Sequence, residues 1–275
     1  MKPAELCYTR AATLKEALGG LTASTAGRVI AGGQSLGPML NLRLAEPKQL
    51  IDVSRLAELR QAEIEGDVLA IGACVTHAQI EDGEIPDVTL GLMRFIACGI
   101  AYRAVRNRGT IGGSIAHADP AADWLTTTIA LGAALRLSGT AGQREIKVAD
   151  FVRGPLDTAI EDGEIVTHVL VPRLAAGACW GHAKYAKKLG DFAQSMAVAI
   201  VDPARGVARV VLGQRAESPT LMRRTSELLA AQGCKPPAAA LGAAIEVDLT
   251  AAKIEAGDWT MHRAILERSV RDLVA

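Results

Sequence analysis

The chain has 275 residues, 49% of them hydrophobic, and 30 basic side chains balance 30 acidic ones, so the formal net charge is zero. That length supports a sizeable core in one large domain or two, and the neutral balance argues against general nucleic-acid or membrane-surface binding, leaving only local basic patches. No apolar run reaches the roughly 18 residues of a membrane span, and residues 1–6 lack the apolar core of a signal peptide; a soluble cytoplasmic protein is expected.

In chain order the elements alternate between α and β. Thr13 is placed to cap a short helix with Leu14, Ala17, Leu18 and Leu21 at helical spacing, and Gly19-Gly20 is expected to end it. Residues 28–31 read as a short buried strand entering a glycine pair. Ser35 then stands at the N-cap position of a second helix, with Pro38 early in it and Met39, Leu40 and Leu42 following. Strands are predicted over 49–53 and 68–73, and helices over 87–101, ending near Gly99, and over 120–131. Strands follow at 133–137 and 165–171. A boundary falls at 172–177, where a proline and small residues follow a strand. Beyond it, 195–201 and 207–213 pair as a hairpin around Asp202-Pro203-Ala204-Arg205-Gly206, and residues 218–232, 237–244 and 259–274 are helical in pattern. No internal repeat or low-complexity segment stands out.

Cys7, Cys74, Cys98, Cys179 and Cys234 are scattered, odd in number and never spaced C-x-x-C. No local motif gathers thiolates for zinc or an iron–sulfur cluster, so free thiols are expected and any iron–sulfur chemistry must lie on another chain.

Two glycine pairs in matching apolar frames carry the strongest signal: Ala31-Gly32-Gly33-Gln34-Ser35-Leu36 after Val29-Ile30, and Thr110-Ile111-Gly112-Gly113-Ser114 after Arg108-Gly109. Each follows the pattern of a chain end meeting a tight turn and then a hydroxyl residue. Without a Cβ, backbone N–H groups can approach an anion closely, and positive φ carries no penalty. One such loop binds phosphate weakly; two of them, 80 positions apart, suggest one diphosphate gripped from both sides. No G-x-G occurs, which excludes the Rossmann fingerprint, and no lysine follows either pair, which excludes a Walker A loop.

The first loop, with Pro38-Met39, Leu42-Arg43-Leu44 and Leu50-Ile51-Asp52-Val53, resembles the first flavin loop of the FAD-binding medium subunits of molybdenum hydroxylases. Arg106-Asn107-Arg108-Gly109 through Ser114, continuing Ile115-Ala116-His117-Ala118-Asp119-Pro120-Ala121-Ala122-Asp123, resembles their second loop. Lys184-Tyr185-Ala186-Lys187-Lys188-Leu189-Gly190-Asp191-Phe192-Ala193 is similar to their third signature. The three occur in order and span nearly the whole chain. The resemblance implies an α+β fold: a two-lobed FAD-binding domain of the PCMH/vanillyl-alcohol-oxidase type over residues 1–174 (lobes about 1–55 and 56–174). A smaller α+β domain of the CO dehydrogenase flavoprotein type, with an antiparallel sheet and helices, follows over 177–275.

The resemblance also implies roles for particular residues. The N–H groups of Gly32–Ser35 and Thr110–Ser114, with the Ser35 and Thr110 hydroxyls, would receive the FAD diphosphate, and valine at Gly33 or Gly112 would expel the flavin from a folded protein. Ala31, Gln34, Leu36, Ile111 and Gly113 complete the two loops. Asp123 matches the aspartate that accepts from the flavin's sugar-like portion, or is simply a first-turn helix acid. Lys184 matches the flavin-contacting lysine, where a cation stabilises the charge of reduced flavin; Lys187 and Lys188 equally fit a solvated surface. Phe192 stands where tyrosine or tryptophan is common, so it packs against a ring face but donates no hydrogen bond. Val166 is an adenine-side contact or a core valine. Arg103, Arg106 and Arg108 either neutralise the diphosphate or face water. No histidine is a candidate catalyst, covalent flavin anchor or metal ligand; His117 is a positioned loop residue, and the FAD is expected to be noncovalent.

The function implied is electron transfer. Electrons would pass from [2Fe–2S] clusters of a small subunit, fed by a molybdenum–pterin large subunit, through this FAD to an external acceptor, in a dimer of heterotrimers with no metal on this chain. Two other readings stay open: a stand-alone FAD oxidoreductase of the same fold, and a flavin-free scaffold subunit. The substrate and the acceptor are not legible in the sequence.

Overall fold

The computed structural model describes residues 2–23, 26–255 and 257–273. The first lobe is built from β1 (Cys7–Arg10), α1 (Leu14–Ala23), β2 (Gly27–Ile30), α2 (Leu36–Asn41) and β3 (Gln49–Asp52). Its sheet is parallel, in the order β1-β3-β2. Thr13 Oγ1 accepts from the Glu16 N–H at 3.1 Å, as an N-cap should. Gly19 and Gly20 do not end α1, which runs on to Ala23; Gly20 instead lets the helix lie against Ile51, whose Cδ1 is 3.1 Å from where a Cβ would stand.

The second lobe contains β4 (Ala62–Glu65), β5 (Val68–Gly72) and then five helices: α3 (His77–Asp82), α4 (Leu92–Cys98), α5 (Arg103–Arg106), α6 (Ile111–His117) and α7 (Asp123–Leu131). It closes with β6 (Ala134–Gly139), β7 (Gly142–Lys147), α8 (Val148–Phe151), the small hairpin β8 (Val152–Gly154) and β9 (Asp157–Thr158), and β10 (Ile165–Pro172). Its antiparallel sheet has the order β4-β5-β10-β6-β7. Two predicted helices start later than expected. Asp87 folds its carboxylate onto the N–H groups of Thr89 and Gly91 (2.8 and 2.6 Å), and Leu90 and Gly91 are left-handed, which delays α4 to Leu92. Asp119 likewise takes the Ala121 N–H at 2.9 Å, so α7 begins at Asp123 rather than at Pro120.

The last part holds the antiparallel sheet β11 (Cys179–Tyr185), β12 (Ser195–Asp202), β13 (Val207–Gln214) and β14 (Thr220–Leu221), covered by α9 (Arg223–Gln232), α10 (Ala238–Ala251) and α11 (Trp259–Arg271). The predicted hairpin is present as β12–β13, turned by Pro203–Arg205 and the left-handed Gly206. The helix predicted over 218–232 yields its first residues to edge strand β14, α10 runs past Ala244 to Ala251, and α11 stops at Arg271; residue 274 lies outside the described residues. One core cluster joins Trp124, Leu125 and the second-lobe sheet to Val198, Ile200 and Val211 of β12 and β13. The last sheet is therefore buried on both faces, by α7 on one side and by its own helices on the other. No helix among the described residues is long and apolar enough to cross a membrane.

Candidate functional site

The first glycine loop leaves β2 and enters α2. From Gly32 through Leu36, none of the five backbone N–H groups has a hydrogen-bond partner among the described residues. Gly33 is left-handed (φ 70°), and Gln34 folds its amide back onto the Gly32 carbonyl at 3.1 Å. Ser35 occupies the N-cap position, but its side chain makes no capping bond, because its backbone is already helical (φ −101°, ψ −51°). The loop is part-exposed, so a row of unpaired donors faces outward; such a row suits an anion.

The second loop lies directly against the first. An added Cβ at Gly32 would collide with the Arg108 carbonyl oxygen and lie 2.9 Å from the Gly109 Cα. The second loop itself differs from the sequence reading. Gly112 and Gly113 are not a tight turn but the first turn of α6, with Thr110 as N-cap accepting from the Gly113 N–H at 3.1 Å. Ile111 donates to the Val75 carbonyl (3.0 Å), Gly112 to the Ala73 carbonyl (3.1 Å) and Ser114 to the Thr110 carbonyl (3.0 Å). The N–H groups of Ile111, Gly112, Gly113 and Ser114 are thus committed within the chain, and of the donor row expected over Thr110–Ser114 only the Thr110 N–H has no partner among the described residues. Gly112 has a packing reason to be glycine: a Cβ there would stand 2.6 Å from the Ala73 Cα. Valine at Gly112 therefore attacks the fold, contrary to the expectation of a folded, flavin-free protein.

The bed of this loop is the segment from Ala73 to His77, which sequence reasoning missed. His77 donates its N–H to the Gly109 carbonyl (2.9 Å) and accepts the Trp124 indole N–H on Nδ1 (3.1 Å), while its Nε2 would be 2.8 Å from a Cβ on Gly109. Burial, with the Arg106 charge second, pushes the imidazole down to about 4, so the ring is neutral at physiological pH. A signal did exist in the sequence: Thr76 and Gln79 form a full capping box at the start of α3.

Asp123 and Lys184, expected separately at a flavin, are brought together. Lys184 Nζ is 2.8 Å from Asp123 Oδ1 and 3.1 Å from Oδ2, with both side chains largely buried. Burial pushes the Asp123 carboxyl above its ordinary value, and the ammonium opposes that shift. The third signature touches the second once more, Ala193 N–H to the Ala121 carbonyl (3.4 Å), and meets the segment before it through Ala101 N–H to the Gly190 carbonyl (3.0 Å), with Gly190 left-handed against Ala101.

Of the basic cluster, Arg106 holds Glu81 in a bidentate pair (2.7 and 2.9 Å) and caps the Ile100 and Ala101 carbonyls, and Arg103 pairs with Asp82 and Glu81. Arg108 alone of the three has no carboxylate partner among the described residues. Val166 lies in the core of the second-lobe sheet, 6% exposed. Phe192 is exposed, as are its neighbours Leu189 and Tyr185 and, across the Gly190 contact, Tyr102. Ala31, Leu36 and Ser114 are part-exposed around the loops. Among the described residues no cluster of three or more His, Cys, Asp or Glu side chains is placed to hold a metal.

The structure thus sets two glycine loops side by side, one with a donor row unpaired among the described residues, and a buried acid–lysine pair next to the exposed Tyr185. Residues 4–174 match the family described as the FAD binding domain in molybdopterin dehydrogenase. The chain is 40% identical over 201 residues to the glyceraldehyde dehydrogenase medium chain of Sulfolobus acidocaldarius, covering 73% of this chain and 71% of that one. It is 36% identical over 198 residues to the carbon monoxide dehydrogenase medium chain of Hydrogenophaga pseudoflava, covering 72% and 69%. Its structure superposes on a solved carbon monoxide dehydrogenase from Hydrogenophaga pseudoflava with a TM-score of 0.90 at 30% identity, covering 99% of this chain and 98% of that one. The chain belongs to the family of FAD-binding domains of molybdopterin dehydrogenases, and is an FAD-binding medium subunit of the molybdenum hydroxylase type, a component of an oxidoreductase.

Proposed function

We propose that this chain holds FAD noncovalently as an electron relay, with its diphosphate on the free N–H row of Gly32–Leu36. The single observation that carries this reading is that row, set against a second loop so closely that Gly32 admits no side chain. The second loop braces the first and shapes the cleft, offering Gly113 at its surface and the Ser114 hydroxyl, and Arg108 supplies a cation that no carboxylate among the described residues pairs with. The chemistry FAD supplies when bound is the exchange of one or two electrons. This chain's residues fix where that happens: Asp123 accepts hydrogen bonds from hydroxyls, Lys184 is a positive charge paired to Asp123, and Phe192, Tyr185 and Tyr102 offer apolar faces to a ring. Val166, being core, acts at most through the wall behind the site.

The relay reading further assigns a small [2Fe–2S] subunit as electron donor, a large molybdenum–pterin subunit where substrate is oxidised, and a dimer of heterotrimers in the cytoplasm. The domain division at residues 1–174 and 177–275, with lobes about 1–55 and 56–174, is part of the same proposal. The exposed Tyr102, Tyr185, Leu189 and Phe192 support it, since a cluster of apolar side chains at a site rim marks a surface that a partner covers. Purification of the chain alone and with its co-expressed partner subunits, followed by flavin spectra and dye reduction, tests this reading. FAD bound in both, reduced by substrate only in the complex, is the expected result. Substrate turnover by the isolated chain would favour a stand-alone oxidoreductase, and absence of flavin in both preparations would favour a scaffold.

A further inference from the structure

Three backbone bonds lay the second glycine loop on the segment from Ala73 to His77: the Gly112 N–H donates to the Ala73 carbonyl (3.1 Å), Ile111 to Val75 (3.0 Å), and His77 to Gly109 (2.9 Å). The His77 ring lies so close to Gly109 that a Cβ there would stand 2.8 Å from Nε2 and 2.9 Å from Cδ2. Gly109 in turn lies against the first loop, its Cα 2.9 Å from where a Cβ on Gly32 would be. The same ring receives the Trp124 indole N–H on Nδ1 at 3.1 Å, the two ring planes tilted by 41°. Trp124 follows Asp123 in α7, and Asp123 holds Lys184. One imidazole thus meets the glycine-loop junction and the helix that carries the acid–lysine pair.

The indole contact also sets the tautomer. An indole nitrogen only donates, so Nδ1 presents its lone pair, and in the neutral ring that burial enforces, Nε2 carries the proton. That Nε2–H has no acceptor among the described residues, although His77 is only 5% exposed. A buried donor without a partner is costly, and a phenyl ring would fill the space without that cost. Packing alone therefore does not explain a histidine here, whereas the need for a ring that accepts from Trp124 while lying against Gly109 does.

We propose that His77 is a positioning residue of the flavin site: through Gly109 and through Trp124 it fixes the glycine-loop junction relative to the Asp123–Lys184 pair, so that a ligand spanning both meets them already spaced. This role rests on the reading of the glycine loops as the FAD diphosphate site. Without the Trp124 contact both parts of the site remain, but their spacing varies, and binding must supply the ordering that the imidazole now provides.

The test titrates FAD at neutral pH into the full flavin-free chain and into His77→Leu, His77→Asn, Trp124→Phe and the His77→Leu/Trp124→Phe double variant, with the Tm of each. His77→Leu and Trp124→Phe are each expected to raise the Kd roughly tenfold, the effect of one buried hydrogen bond. The double variant raises it no further, and His77→Asn, which keeps an acceptor for the indole, stays within about threefold of the parent. Parent-like affinity in His77→Leu and Trp124→Phe with only the Tm lowered, additive losses, or a His77→Asn variant as weak as His77→Leu would overturn the proposal and leave the flavin reading standing. A parent chain that binds no FAD would remove that reading and the proposal with it. Where a variant fails to fold, nitrogen NMR of the parent decides. The expected result is a proton on Nε2 and none on Nδ1 of His77, with FAD slowing exchange of the Trp124 indole N–H, since the coupling is reciprocal; a proton on Nδ1, or indole exchange that FAD leaves unchanged, overturns the proposal.

Discussion

Lys184 on β11 places its ammonium 2.8 Å from the carboxylate of Asp123, the first residue of α7, and the pair fastens the third sequence signature to the second. Breaking one member leaves the other buried without a partner, which typically costs about 3–5 kcal/mol, whereas replacing both with apolar groups costs much less. Asp123→Asn and Lys184→Met are each expected to lower the urea midpoint strongly and to release flavin. The double variant should be more stable than the sum of the two losses predicts, although still poor in flavin. A double-mutant cycle on the purified chain measures this; strictly additive losses would show the two residues acting independently.

The glycine positions separate ligand contacts from fold contacts. Gly32→Ala pushes a methyl group into the Arg108 carbonyl and should part the two loops, with loss of most bound FAD. Gly37→Ala, one turn further on in α2 with nothing within 4 Å of the new methyl, should keep its flavin and match or slightly exceed the parent's stability. Absorbance-derived flavin content and Tm of the two variants check this; equal flavin in both would remove the argument from close approach.

Gly112→Val is expected to yield insoluble or strongly destabilised protein, by about 3 kcal/mol or more, since its Cβ meets the backbone of Ala73. Circular dichroism and urea unfolding decide the matter. A native, stable Gly112→Val protein would mean that the α6 turn can move away from Ala73.

Buried neutral His77 gives the chain a pH dependence of definite sign. Its folded value lies near 4, below the ordinary 6.5. Above pH 6.5 the ring is neutral in both states and its contribution to stability is complete. As pH falls through 6.5 the unfolded chain gains a proton that the folded chain refuses, and stability drains away until about pH 4, by roughly 3 kcal/mol in all. His182, lowered to about 4 by burial with Lys184 second, adds in the same direction. His77→Asn, whose carbonyl still accepts the Trp124 indole proton, should flatten part of the slope between pH 7 and 5. Urea midpoints across that range test this, and identical slopes for parent and variant would refute it.

Much of this architecture was legible in the sequence because period and punctuation agree there: Thr13 caps α1, and Gly206 turns the β12–β13 hairpin as its surroundings demand. The first signature lies against the second at Gly32 and Gly109, and the third against the second at Lys184 and Asp123. What misled was chemistry at element starts. Asp87 and Asp119 fold onto nearby N–H groups and delay their helices, and a hydrophobic periodicity does not register such side-chain turns. Gly112-Gly113 looked like a second anion loop, yet Thr110 caps it into a helix and Ala73 and Val75 take the donors of Gly112 and Ile111; only the three-dimensional neighbour shows which glycines are packed against backbone. The Lys184–Asp123 and His77–Trp124 contacts join residues 61 and 47 positions apart, distances over which a single sequence carries no pairing information.

The most direct measurement is a backbone-amide NMR titration of the flavin-free chain with FAD and, separately, with riboflavin, which lacks phosphate. If the unpaired N–H groups of Gly32–Leu36 hold the diphosphate, FAD moves those amide resonances strongly and slows their hydrogen exchange, riboflavin leaves them nearly unmoved, and the amides of Ile111–Ser114 keep their existing protection with both. FAD binding that leaves Gly32–Leu36 undisturbed, or equal responses to FAD and riboflavin, would contradict that placement.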